Sequence, residues 1–129
     1  MHRASWLVLP LLAVTACGGG GSGGSSSVNA NGTVAAVGSS TAQTAEVDGQ
    51  DVLKFKPNVV TAKVGVLTLT MKNSGQVPHN LEFDDNSLGK LGMVAGGQSK
   101  QLKLSFARAG TYTFQCTIHP GMTGKVVVS

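Results

Sequence analysis

Charge is scarce in this sequence. Asp, Glu, Lys and Arg make up 12% of its 129 residues, and the formal net charge is only +4. No run of Lys or Arg concentrates that charge, which excludes a nucleic-acid-binding surface. A membrane-spanning run is missing as well: the apolar stretch from Trp6 to Ala16 falls well short of the roughly 20 residues that cross a bilayer. No segment carries a sustained helical period, beyond room for one short helical turn near Ser87–Leu91. Cysteine is limited to Cys17 and Cys116. The length suits one domain rather than two.

What is present begins with a leader. His2 and Arg3 precede the apolar stretch, the pattern of a secretory signal. It ends in "VTAC", Val14 to Cys17, which resembles the lipobox of bacterial lipoproteins. That resemblance implies a signal peptide over residues 1–16, lipidation of Cys17 and a membrane anchor facing the periplasm or extracytoplasmic side of a bacterial cell envelope. Much of the glycine, 18 residues in all, is concentrated directly after Cys17 in "GGGGSGGSSS". Low hydrophobicity continues to Ala45, so residues 17–45 read as the lipidated cysteine and a flexible tether. A coil of that length, about 28 residues, has a reach of roughly 30 Å. With Cys17 lipidated, Cys116 has no partner for an intrachain disulfide, and a free thiol in an exported chain invites oxidation unless something occupies it.

Residues 46–129 read as strands. In "VLTLTMKN", Leu67, Leu69 and Met71 alternate with Thr68, Thr70 and Lys72. In "KQLKLSF", Leu102, Leu104 and Phe106 alternate with Lys103 and Ser105, and in "TYTFQC", Tyr112, Phe114 and Cys116 share one face. Period two in several short segments means half-buried strands. "DVLKFKP", "NVVTAKV", "HNLEFD" and "KVVVS" supply further candidates. The expectation is an all-β fold, a Greek-key two-sheet β-sandwich of about seven or eight strands.

The chemistry is concentrated in "CTIHPGM", Cys116 to Met122. Alternation turns Cys116 inward at the end of its strand, and His119 and Met122 follow at the third and sixth positions in a tight turn. A fourth ligand must come from elsewhere. Of the three histidines, His2 lies in the leader, which leaves His79 in "VPHN". One thiolate, two imidazoles and one thioether form a donor set suited to copper in both oxidation states; a His₂Cys plane with a weak axial Met describes a blue-copper electron-transfer site. Four ligands leave no position for substrate, and structural zinc sites rarely use methionine. The cluster Glu82, Asp84 and Asp85 reads as a solvated strand end, and Met71 as core.

These segments resemble the cupredoxins, most closely the amicyanin–plastocyanin branch. "GTYTFQCTIHPGMTGKVVVS" looks like their C-terminal ligand region and "VPHN" like their first ligand segment. The loop is the short, amicyanin-like version. The resemblance implies one type 1 copper ion, with His79, Cys116 and His119 as equatorial ligands and Met122 as the axial one. It implies that the backbone N–H of Asn80 bonds the thiolate and that its side chain ties the two ligand segments together. Amicyanin-like loops commonly carry Pro at the second position after the cysteine; here Ile118 keeps its N–H, so a second donor to the Cys116 sulfur is expected.

The function expected on this basis is a membrane-tethered, monomeric electron carrier rather than an enzyme. It would serve a redox donor and a redox acceptor in transient encounters, with electrons passing through the His119 ring edge. An apolar docking patch of Pro78, Met93, Pro120 and Gly121 is expected around that edge. A copper-buffering or resistance protein is the other reading, although the tether has no Met-rich or His-rich tract. Multicopper enzymes need additional copper centres and domains, and a binuclear site needs a second cysteine in the loop.

Overall fold

The computed structural model describes Ser27–Val28 and residues 32–129. The leader 1–16, Cys17 and the glycine–serine run to residue 26 lie outside the described residues.

Twelve strands are present among the described residues: β1 (Ser27–Val28), β2 (Thr33–Ala35), β3 (Val37–Ser39), β4 (Ala42–Gln50), β5 (Lys54–Lys56), β6 (Val59–Ala62), β7 (Gly65–Asn73), β8 (His79–Phe83), β9 (Lys90–Val94), β10 (Ser99–Phe106), β11 (Gly110–Gln115) and β12 (Thr123–Val128). They build two sheets. One has seven strands in the order β1-β2-β6-β12-β11-β8-β9; the other has five, β10-β7-β4-β3 with β5 also paired to β4. Both sheets are mixed, since β2 and β12 run parallel to β6, and β4 runs parallel to β7. The all-β two-sheet sandwich is as expected, with more and shorter strands. The one helical turn among the described residues is a 3₁₀ turn at Asn86–Leu88, capped by the Asp85 carboxylate.

The alternating residues meet between the sheets. Leu67, Leu69, Met71, Leu104, Phe106, Phe114 and Cys116 are buried, with Leu102 and Tyr112 packed against them. Phe114 anchors the middle, with Phe55 and Phe83 edge-on at ring-centre distances of 5.1 and 5.5 Å. Burial of each such ring contributes about 2–3 kcal/mol, and the edge-on geometry adds a smaller term.

The domain boundary requires a correction. The sequence reading starts the folded part at residue 46, yet β2, β3 and the first half of β4 precede it. Val34, Gln43 and Ala45 are all buried. The inward side of β4 is Gln43, Ala45, Val47 and Gly49, a face with one strongly apolar residue, so the alternation is nearly silent in hydropathy. Gln43 is tolerated inside because its amide donates to the Lys63 carbonyl at 2.9 Å and accepts from the Lys63 N–H at 2.7 Å.

Candidate metal centre

Two strands and one loop converge at one end of the sandwich. β8 begins with His79, paired across β9 to Val94. β11 runs antiparallel to β8, with Phe114 opposite Phe83 and Gln115 opposite Glu82. Continuing that register brings Cys116 and Thr117 alongside Leu81 and Asn80.

The loop after β11 closes on itself. The Cys116 N–H donates to the Met122 carbonyl at 2.9 Å, the His119 N–H to the Cys116 carbonyl at 3.4 Å, and the Met122 N–H to the His119 carbonyl at 3.2 Å. Gly121 completes the turn at φ +81°, a left-handed conformation that glycine adopts without the steric penalty of a side chain. These bonds hold Cys116 and Met122 side by side at the base of the loop, both buried, and lift His119 to partial exposure.

The donor atoms converge. Nδ1 of His79 lies 3.2 Å from Nδ1 of His119, which lies 3.4 Å from the Cys116 sulfur. The ligand atoms of the three residues are all within 4.8 Å of one another, and this is the one such group of His, Cys, Asp or Glu found among the described residues. His79 is completely buried and its Nε2 lacks a hydrogen-bond partner. Burial first, and then the neighbouring His119, hold its pKa below the usual imidazole value; Asp51, the Gln50 backbone and Asp48 oppose that shift. The neutral ring that results is the form that ligates metal.

The residues fit a copper ion on their own chemistry. The two Nδ1 atoms face each other at 3.2 Å and can share one proton, and a cation placed between them would take a lone pair from each. The set contains nitrogen and sulfur and no carboxylate, which suits copper or zinc and not magnesium or calcium. Met122 supplies a buried thioether from the same loop. His79, Cys116, His119 and Met122 thus form the candidate site for one type 1 copper ion.

The other expected residues are placed as follows. The Asn80 side chain does tie the two ligand segments: its Nδ2 donates to Thr117 Oγ1 at 2.7 Å, and its Oδ1 accepts the Thr117 N–H at 2.8 Å. The sulfur donors differ from expectation. The contact found at the Cys116 sulfur is with His119, and among the described residues neither the Asn80 nor the Ile118 N–H makes a hydrogen bond to it. Ile118 is instead an exposed side chain at the tip of the loop, alongside exposed Pro120 and Gly121. Pro78 and Met93 are exposed too. Asp84 and Asp85 are solvated and Glu82 is partly so, as expected. The sequence reading missed Gly49, Asp48, Asp51 and Asn73, which surround the approach to His79. Gly49, Asp48 and Asp51 are distant in sequence from the motif, and Asn73, six residues before His79, reads as an ordinary turn residue.

Comparison with known proteins agrees with this geometry. Residues 26–128 match the family model described as a cupredoxin-like domain. Amicyanin of Paracoccus denitrificans is 38% identical over 78 residues, a match covering 59% of this chain and 59% of that protein. Chloroplastic plastocyanin of Hordeum vulgare is 36% identical over 90 residues, covering 60% and 56% respectively. The chain therefore spans less than two thirds of the length of these relatives. Among solved structures, a reduced Cu(I) form of an amicyanin mutant superposes with a TM-score of 0.55 at 36% identity, covering 65% of this chain and 80% of that one. A second reduced amicyanin mutant gives 0.55 at 36% identity, covering 72% and 86%.

Proposed function

The chain belongs to the cupredoxin-like family, and from that premise we propose that it carries single electrons between redox proteins while tethered to a membrane. The observation that carries this reading is the convergence of two imidazole nitrogens and one thiol sulfur on one point at the end of the sandwich. Copper held by His79, Cys116, His119 and Met122 would supply a one-electron couple between a donor protein and an acceptor protein.

The chain's own residues give that couple its surroundings. β8 and β11 are hydrogen-bonded to each other, and Asn80 fastens the loop to the strand, so the donor atoms keep their positions when charge changes. Burial of His79, Cys116 and Met122 excludes water from three sides. His119 alone is partly exposed, which makes its ring the short route to the surface. Pro78, Met93, Ile118, Pro120 and Gly121 supply exposed apolar or uncharged surface for brief docking. The lipobox-like Cys17 supports a lipid anchor in a bacterial envelope; it lies outside the described residues and rests on the sequence alone. Replacement of Cys17 by Ser should move the protein from the membrane fraction to the soluble fraction.

Electron exchange is the deciding experiment. The copper-loaded full chain should be reduced and reoxidised reversibly by one electron per copper in a spectroelectrochemical titration. His119→Ala, supplied with exogenous imidazole to complete the site, should exchange electrons with a redox protein more slowly than wild type. A chain that binds copper tightly but never cycles would be a copper buffer and not a carrier.

A further inference from the structure

The segment that delivers His79 is not held by burial. Ser74, Gln76 and Pro78 are exposed, and Gly75 and Val77 are only partly covered, so apolar packing does little to fix it. Polar groups from outside the segment do so instead. The Asp51 carboxylate, in the turn after β4, accepts through one oxygen from the N–H of Gln76 at 2.8 Å and of Val77 at 2.9 Å. Asp48, on β4 itself, accepts the Ser74 N–H at 2.8 Å. On the inner side, the buried Asn73 amide donates to the Val77 carbonyl at 2.7 Å and to the Val94 carbonyl at 2.9 Å. Val94 is the strand partner of His79.

Two close approaches tie the end of β4 to the ligand. A Cβ added at Gly75 would lie 2.1 Å from Asp51 Oδ1, and one added at Gly49 would lie 2.9 Å from Cδ2 of the His79 ring. The same stretch of chain therefore touches the imidazole and grips the backbone that leads to it. The grip is efficient. Asp51 fixes the peptide plane before Val77, and Asn73 fixes the plane after it. Pro78 then locks its own φ through its ring, so one soft dihedral, ψ of Pro78, separates the clamp from the His79 backbone.

We infer that Asp51 is a positioning residue for the metal centre: by holding the N–H groups of Gln76 and Val77, its carboxylate sets His79 Nδ1 at the cluster before any metal arrives. The inference rests on the copper reading above. Partners that orient a ligand from outside the coordination shell change metal affinity when removed, by about 10–100-fold.

The test compares the full chain with Asp51→Ala, Asp51→Asn and Asp85→Ala in Cu(I) competition against a chromophoric chelator. Asp51→Ala should weaken copper binding about tenfold or more. Asp51→Asn keeps an oxygen acceptor and should recover most of that loss. Asp85 holds only its own 3₁₀ turn, through Ser87, so Asp85→Ala should bind as wild type. Wild-type affinity in Asp51→Ala, or an equal loss in Asp85→Ala, would overturn the inference. A wild-type chain that binds no copper would instead sink the metal reading. A second measurement needs no variant: in the metal-free chain the Gln76 and Val77 amides should be protected from hydrogen exchange despite their exposed setting, and unprotected amides there would also overturn the inference.

Discussion

Residues 116–122 hold themselves together, with three backbone hydrogen bonds made inside the loop, whereas residues 74–79 are held by side chains from outside the segment, two of them on or just after β4 and one immediately before the segment. The first ligand segment depends on Asp48, Asp51 and Asn73; the second needs little beyond its own turn and the Asn80 tie. The contrast separates two ways of building half a metal site. A short loop places three ligands with local bonds, and its geometry travels with its sequence. A single ligand on a strand has to be aimed by the fold, and the groups that aim it are recognised only in three dimensions.

Perturbing each half should show the difference. The largest effect is expected from Asn73→Ala. It removes a fully buried amide and strands the Val77 and Val94 carbonyls, and with about 1–3 kcal/mol for each orphaned group, urea unfolding of the metal-free chain should show a loss on the order of 3 kcal/mol. Gly49→Ala comes next. Its Cβ would press on the His79 ring and on Met71 Cε, so a loss of about 1–3 kcal/mol is expected, with shifted His79 ring resonances and an unchanged 116–122 loop by NMR. Shifts confined to the loop would contradict the assignment of β4 to His79. Asn80→Ala cuts the tie between the halves at a partly exposed position. It should lower stability by about 1 kcal/mol and loosen the Thr117 amide in hydrogen exchange, leaving Gln76 and Val77 unaffected.

The smallest effect is a pH dependence. The N–H groups of Val77 and Gln76 hold the Asp51 carboxyl below its ordinary value. A depressed carboxyl contributes stability that is complete above the unfolded value, about 3.9, and is lost as pH falls through the lower folded value. The gap in urea midpoint between wild type and Asp51→Asn should therefore be flat from about pH 7 to pH 5 and close below about pH 4. A gap that stays constant on acidification to about pH 3 would show that the clamp does not depend on the ionised carboxylate.

The sequence carried some of this openly. Alternation in β7, β10 and β11 was legible because Leu, Met and Phe face Thr, Lys and Ser, and those inward residues are the core. The loop ligands were legible because the turn packs three metal-binding side chain types into one short segment. β4 was not, since its inward face includes a glutamine satisfied by the Lys63 backbone twenty residues away and a glycine pressed against an imidazole. A domain started at residue 46 would cut this strand in two and discard β2 and β3. The Ile118 expectation failed for a related reason: its possession of an N–H is a sequence fact, while the direction of that N–H is a property of the folded turn.

The central claim is that His79, Cys116, His119 and Met122 hold one type 1 copper ion. The most direct measurement is a Cu(II) titration of the metal-free full chain followed by visible absorption. The account predicts an intense blue band that saturates at one copper per chain, bleaches on reduction, and is absent in Cys116→Ser. A colourless product, or a band that survives Cys116→Ser, would contradict it.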